Sequence, residues 1–263
     1  TDRHDDQDKI IEVMNFLISK RANINKAYVG LTPGLNPVNI PDRVIRYDYD
    51  KIFDLLLEWG DKVRWSRTFP RIHVAAMHGS SKIMRKLIES GTDVNESALL
   101  LHETPLFLYL TQSGEIDVSI IKLLVEKGAN IAHIVDNKSV LHFNVRNEIL
   151  EYLFGNYDMS AILNHQDNGG NTPLVKSMRE RWLFQTFLLL KNGADVNIPN
   201  NEGNIALHYI DRNVLTKGFW ATLVLLLERG VDLFHKNNSR RYASRDIIHT
   251  FRESDRKIFY ELV

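Results

Sequence analysis

No cysteine occurs in the 263 residues. That excludes disulfides, thiolate nucleophiles and zinc sites built on cysteine, and it fits a reducing compartment. Neither sign of charge is in excess: 33 lysines and arginines stand against 33 aspartates and glutamates. Nucleic-acid binding draws much of its affinity from neutralising phosphates, so this balance argues against that class and leaves only a local basic patch open. Apolar runs such as Phe187-Leu188-Leu189-Leu190 are far too short to span a bilayer, and no secretory signal is visible. There is no His-Glu-x-x-His pair and no Gly-x-x-x-x-Gly-Lys-Ser/Thr loop. Asp167-Asn168-Gly169-Gly170 lacks the downstream acidic ligand of a calcium loop and reads as a hairpin turn. No cofactor or metal is implied, and the chain reads as a non-enzyme.

What the chain does contain is a repeat. Hydrophobic residues make up 44% and charged residues 25%, the balance of a globular protein. One phrase runs from an aliphatic stretch through a glycine to a polar turn: Leu190-Lys191-Asn192-Gly193-Ala194-Asp195-Val196-Asn197. Copies occur at Val125 to Ile131, Leu227 to Leu233 and Ile88 to Asn95, with weaker ones at Leu57 to Val63 and Ile18 to Asn25. A second phrase follows: Thr104-Pro105-Leu106, Ser139-Val140-Leu141-His142, Thr172-Pro173-Leu174 and Ile205-Ala206-Leu207-His208, with a looser copy at Pro70 to Ala76. The aliphatic residue at its centre falls at 72, 106, 141, 174 and 207. Thr-Pro suits a helix start, because the hydroxyl caps and proline fits the first turn. The glycine suits a helix end, where a left-handed backbone costs little. A helix pair and a hairpin every 33 or so residues bury little alone and build a core only when stacked.

These phrases resemble the ankyrin-repeat family, and the resemblance covers nearly the whole chain. It implies an all-α solenoid of helix–turn–helix pairs joined by short β-hairpin loops, here one domain over 1–263. Residues 1–25 read as the second helix of a truncated first repeat, 26–63 as a degenerate repeat whose stretch 26–43 is a long loop. Further repeats fall at 64–96, 97–133, 134–166, 167–199 and 200–236, with a C-terminal cap at 237–263. Distorted loops are expected at Thr111 to Asp117, after Arg146 and around Asn213 to Gly218. The start at Thr1 suggests a processed or truncated piece. Frequent asparagine often accompanies an AT-rich genome.

The family is a protein-binding one, so the resemblance implies a partner protein and places function on a surface. His73, His142 and His208 occupy a slot that in the family ties a helix start to the neighbouring hairpin; a catalytic role would also need a nucleophile and an orienting group. Arg146, Arg179 and Arg212 stand 33 residues apart, at what reads as the end of each first helix. Stacked repeats turn such positions into a ladder on the inner face, suited to an acidic or phosphorylated segment, with Trp182 beside the middle rung. Chance plus solubility is the competing explanation of this row. The hairpin-tip row Phe69, Glu103, Lys138, Asn171, Asn204 and Arg241 offers further contacts. Trp65 and Phe69 serve either as an apolar anchor or as cover for the irregular 26–63 segment. Asn95 and Asn197 match the pattern that asparaginyl hydroxylases modify, although this asparagine also stabilises the hairpin. Two rivals remain: the targeting domain of a larger enzyme or channel, and a nucleic-acid or phosphoinositide binder using the arginines. Such a chain resembles ankyrin proteins that bacteria or large DNA viruses deploy in host cells. The expected location is cytoplasmic or nuclear, or the host cytoplasm for an effector. The partner's identity and the oligomeric state are not written in the sequence.

Overall fold

The helix starts are built as the local sequence dictates. In the computed structural model, which describes residues 2–20, 40–60, 63, 65, 69–97, 102–112, 114–210 and 217–244, the hydroxyls of Thr104 and Thr172 each accept a hydrogen bond from a backbone N–H three residues on. The donors are Phe107 at 3.3 Å and Val175 at 3.2 Å. Proline follows each threonine as the first helical residue. The helix ends also follow the reading: Gly91, Gly128, Gly193 and Gly230 all have positive φ. Among the described residues the elements are helical, with two isolated bridges, Val135 to Lys138 and Lys236 to Tyr242, in the hairpin positions.

The chain divides into two compact units, residues 1–131 and 132–263. In the first, α1 (Asp2–Ser19) precedes three helix pairs: α2 (Ile40–Arg46) with α3 (Asp50–Glu58), α4 (Arg71–Met77) with α5 (Ser81–Glu89), and α6 (Pro105–Thr111) with α7 (Val118–Glu126). First helices pack on first helices, α2 on α4 and α4 on α6. Second helices pack likewise, α1 on α3, α3 on α5 and α5 on α7. Ile45, Phe53, Leu56, Ile72, Ile83, Met84, Leu106, Tyr109 and Ile120 are fully buried between them. The second unit contains a 3-10 turn (Val140–His142), α8 (Asn147–Asn156), α9 (Ser160–Leu163), α10 (Pro173–Arg179), α11 (Leu183–Lys191), a second 3-10 turn (Ala206–Tyr209) and α12 (Lys217–Glu228). Here α10 packs against both 3-10 turns, and α11 against α8 and α12.

Three expectations need correction. The segment 26–43 does not end as a loop: helix α2 begins at Ile40 and supplies the first helix of its repeat. Pro41 sits in its first turn, where a missing N–H costs nothing. The repeats at 134–166 and 200–236 have no α-helix in the first position, only a 3-10 turn, after which Phe143 and Ile210 are extended. Arg146 consequently does not close a first helix. It is the residue before α8, because so few residues separate His142 from the second helix that no full first helix fits. The six-residue connection Gln112 to Asp117 is long, as the spacing implied; the Gln112 amide donates to the Glu115 carbonyl at 3.0 Å and its oxygen accepts from the Gly114 N–H. The extra residues at 211–216 and the end of the cap lie outside the described residues.

Candidate partner-binding surface

The three histidines of the repeat phrase are structural. Nε2 of His73, His142 and His208 donates to the carbonyls of Glu103, Asn171 and Arg241, at 3.0, 3.0 and 3.1 Å. Each acceptor lies in the next hairpin, so the imidazole ties one repeat to its successor. Burial holds all three below the ordinary histidine range. The one hydroxyl against them, Ser139 Oγ at 3.0 Å from His142 Nδ1, is fully buried within the same turn. Among the described residues no group of three histidine, aspartate or glutamate side chains is placed to hold a metal.

Asn95 and Asn197 have equally firm positions. The Asn95 amide donates to the Gly128 carbonyl at 2.8 Å and accepts from the Asn130 N–H at 2.9 Å. Asn197 repeats this with Gly230 at 2.9 Å and Asp232 at 2.8 Å. A carboxamide suits the slot because it donates and accepts at once.

The hairpin row is not a row of free tips. Asn171 and Asn204 are 6% and 8% exposed, and their amides are spent inside the stack. Asn171 donates to Asp167 and accepts from Asn200 at 2.9 Å; Asn204 donates to Glu202 and accepts from Asn237 at 2.7 Å. Their amides face the stack, because a hairpin sandwiched between others satisfies its polar groups through them. An outer asparagine row runs beside them. The Asn137 amide donates to the Asn168 side chain, Asn201 to the Asn168 carbonyl and Asn238 to the Asn201 carbonyl. The abundance of asparagine thus has a physical use: a primary amide can continue a ladder in both directions. Lys138 and Arg241 remain exposed, but the Arg241 N–H and carbonyl are both committed to the stack.

In the first unit, Trp65 is half-buried. It meets Phe53 edge-on at 5.5 Å, and the Arg71 guanidinium lies 5.1 Å from its ring centre. It covers α3, which favours the covering role over the anchor. Phe69 is also half-buried.

The arginines divide by element. Arg179 closes α10 with its side chain 45% exposed, 3.6 Å from Glu180, which also pairs with Lys176 at 3.2 Å. Arg181 follows at φ 62 and is exposed, and half-buried Trp182 precedes α11. Lys176, Arg179, Arg181 and Trp182 therefore crowd one turn with Glu180 as its single acid. Arg146 is exposed but sits at the start of α8, and Arg212 lies outside the described residues, so the three do not occupy one equivalent helix-end position. Sequence reasoning missed Arg46, which closes α2 as Arg179 closes α10, and which donates to His78 Nε2 at 3.3 Å. Reading α2 as loop hid it; the apolar spacing of Ile40, Val44 and Ile45 was the available signal.

The comparisons bear out the repeat. Residues 72–162 match the family of ankyrin repeats in three copies. The ankyrin repeat domain of Bcl-3, described as a unique member of the IκB protein family, superposes with a TM-score of 0.59 at 18% identity, covering 83% of this chain and 99% of that one. The human ASB11 ankyrin repeat domain gives 0.61 at 18%, covering 82% and 99%. EF0377, an ankyrin repeat protein, gives 0.58 at 23%, covering 72% and 96%. The chain carries ankyrin repeats and has the all-α fold of ankyrin-repeat domains, repeats that generally serve to bind other proteins. It is also 25% identical over 192 residues to the phosphocholine transferase AnkX of Legionella pneumophila; the match covers 69% of this chain and spans only 19% of that protein's length. Among the described residues, no helix is long and apolar enough to cross a membrane.

Proposed function

We propose that this chain is a non-enzymatic recognition module that holds an acidic or phosphorylated segment of a partner protein against the turn following α10. The observation that carries this reading is the grouping of Lys176, Arg179, Arg181 and Trp182 on one turn, with Arg179 largely exposed and Glu180 the only acid among them. Arginine presents a planar fork that fits carboxylate and phosphate, and a half-buried tryptophan beside it supplies apolar contact area. The exposed Arg146 and Lys138 extend the site in the same unit. The hairpin tips contribute less, since their amides are occupied by one another.

The test is a titration of arrayed acidic and phosphorylated peptides against the wild type, Arg179→Glu and Arg179→Lys at two salt concentrations. A partly desolvated arginine contact is worth about 2 kcal/mol or more, against about 1 kcal/mol or less for an exposed pair. Arg179→Glu weakens the best binder by more than roughly tenfold with little change in melting temperature, while Glu103→Lys, in the other unit, has a much smaller effect. Equal affinity of wild type and Arg179→Glu would remove this turn from the interface.

A second reading is favoured by one comparison: a stretch spanning 19% of a bacterial phosphocholine transferase resembles most of this chain. On that reading these repeats are the targeting part of a larger enzyme acting in a host cell. The open reading frame around the sequence decides it, since a flanking catalytic domain is required.

A further inference from the structure

We propose that the second unit carries an acid-sensitive latch made of two stacked histidine pairs, His142 with His165 and His208 with His235, which loosens the hairpins of that unit as the solution becomes mildly acidic. His165 and His235 were not singled out by the repeat phrases. Each stands edge-on to a tying histidine: His165 on His142 with ring centres 6.0 Å apart and planes at 89°, His235 on His208 at 5.8 Å and 87°.

The geometry requires neutral rings. His142 Nε2 donates to the Asn171 carbonyl, so its Nδ1 is left to accept, and it does so from the Ser139 N–H at 3.1 Å. His208 is placed identically, donating to Arg241 and accepting from the Ile205 N–H at 3.2 Å. A proton on either Nδ1 would set two N–H groups against each other; at His142 the Ser139 hydroxyl, 3.0 Å away, would have to turn to accept it, and His208 has no such hydroxyl. The second rings are themselves held within the hairpins. His165 Nε2 is buried without a hydrogen-bond partner, and His235 Nε2 already donates to the Gly203 carbonyl at 3.0 Å. Charging one member of a pair opposes charging the other at this separation.

The charged groups around the pairs set their order. Asp167 is the acid facing His142 and favours its protonated form, which moderates the effect of burial and of His165. Around His208 burial opposes protonation most, the Arg241 carbonyl that accepts from Nε2 favours it, and the His235 ring and the Arg241 guanidinium oppose it. In the first unit, among the described residues, no second imidazole stands against His73; it faces Glu96, which favours its charge. The sign follows. A histidine held below its ordinary value in the fold binds fewer protons folded than unfolded. Its contribution to stability is complete above the ordinary range near pH 6.5, and is lost as pH falls from there through the lower folded value. Two such histidines, each with a second imidazole packed edge-on against it, concentrate the loss in the second unit. The tie to the last hairpin, from His208 to Arg241, is the more exposed to it.

The test is residue-resolved hydrogen exchange of the whole chain at about pH 7.5 and about pH 5.5, expressed as protection factors so that the intrinsic pH effect is removed. Protection in 139–145, 165–171, 205–210 and 235–244 falls by roughly tenfold or more, and in 71–77 and 104–111 by less than roughly threefold. In the His165→Gln/His235→Gln double variant the second-unit loss shrinks toward that of the first unit. Carbon-detected titration of the wild-type imidazoles checks the same point without a variant: His142 and His208 titrate below free histidine, and His208 shifts when His235 is replaced. An equal loss of protection in both units, an undiminished loss in the double variant, or ordinary titration of His142 and His208 each overturns the proposal.

Discussion

At Gly170 and Gly203 two separate constraints meet in one residue. Both have positive φ, +72° and +75°, which side chains resist. Both also lie under the asparagine of the next hairpin. A Cβ on Gly170 would fall 2.7 Å from the Asn201 backbone nitrogen and closer still to its side-chain oxygen; one on Gly203 would fall 2.9 Å from the Asn238 nitrogen. Gly230 has the same sign of φ but nothing within 4 Å. Gly230→Ala therefore carries backbone strain alone, about 1 kcal/mol, whereas Gly170→Ala adds a clash with backbone and costs about 3 kcal/mol. Urea denaturation of the two variants measures the difference, and equal losses would refute the close approach. Asp167 makes a related case. Burial opposes its charge, but hydrogen bonds from Asn171 and Gly169 hold its carboxyl below the usual carboxylate range. Its stabilisation is present above that range and is lost as pH falls through the folded value. Asp167→Ala costs about 1–3 kcal/mol at neutral pH, because two backbone N–H groups lose their acceptor. The gap between variant and wild type narrows in acid; a gap independent of pH would contradict the hydrogen-bond assignment.

Helix α5 is capped from outside its own repeat. The Asp48 carboxylate, in the turn after α2, accepts from the N–H groups of Ile83 at 3.0 Å and Lys82 at 3.2 Å, while Ser80 donates its hydroxyl to the Ile45 carbonyl at 2.6 Å. Asp48 has φ 54, a conformation that asparagine and aspartate tolerate best after glycine. Burial raises its carboxyl above the usual range, the two backbone donors only partly offsetting this. Asp48→Ala removes the acceptor and destabilises the first unit by about 1–2 kcal/mol. Asp48→Asn keeps an acceptor and the backbone preference without a buried charge, and stays within about 0.5 kcal/mol of wild type. Thermal melts of both decide the point; an alanine variant as stable as the asparagine one would show that the cap contributes nothing. The element-scale lesson is that N-caps Thr104 and Thr172 were legible because the capping residue is a sequence neighbour, while Asp48 capping Ile83 was not, because the two are 35 residues apart.

Across the whole molecule, stability rests on stacked apolar helices and interlocked amides. The chain contains no cysteine, and the described residues include no cluster suited to a metal. A reducing agent or a chelator is therefore expected to shift the melting temperature by less than about 1 °C; a larger fall on chelation would reveal a structural ion. Balanced charge places specificity in local groupings, so the turn after α10 is expected to bind with a salt dependence that Arg179→Glu reduces.

The repeat period, the threonine-proline starts and the left-handed glycines are consequences of short-range chemistry, and the amino-acid order alone determined them. The tying role of His73, His142 and His208 was implied by the family resemblance, and their bonds to the next hairpins match it. What the tertiary structure decided depends on groups far apart in the chain. Counting residues places Arg146 at a helix end, whereas in the structure it is the residue before α8, because no full first helix fits between His142 and Asn147. Asn171 and Asn204 looked like polar tips, and became buried only because another hairpin stacks on each. Trp65 reads from sequence as anchor or as cover, and its edge-on contact with Phe53 favours cover. Periodicity reports which residues share a position in their repeats, whereas exposure depends on what the neighbouring repeat places against them, and that is a property of the packed chain.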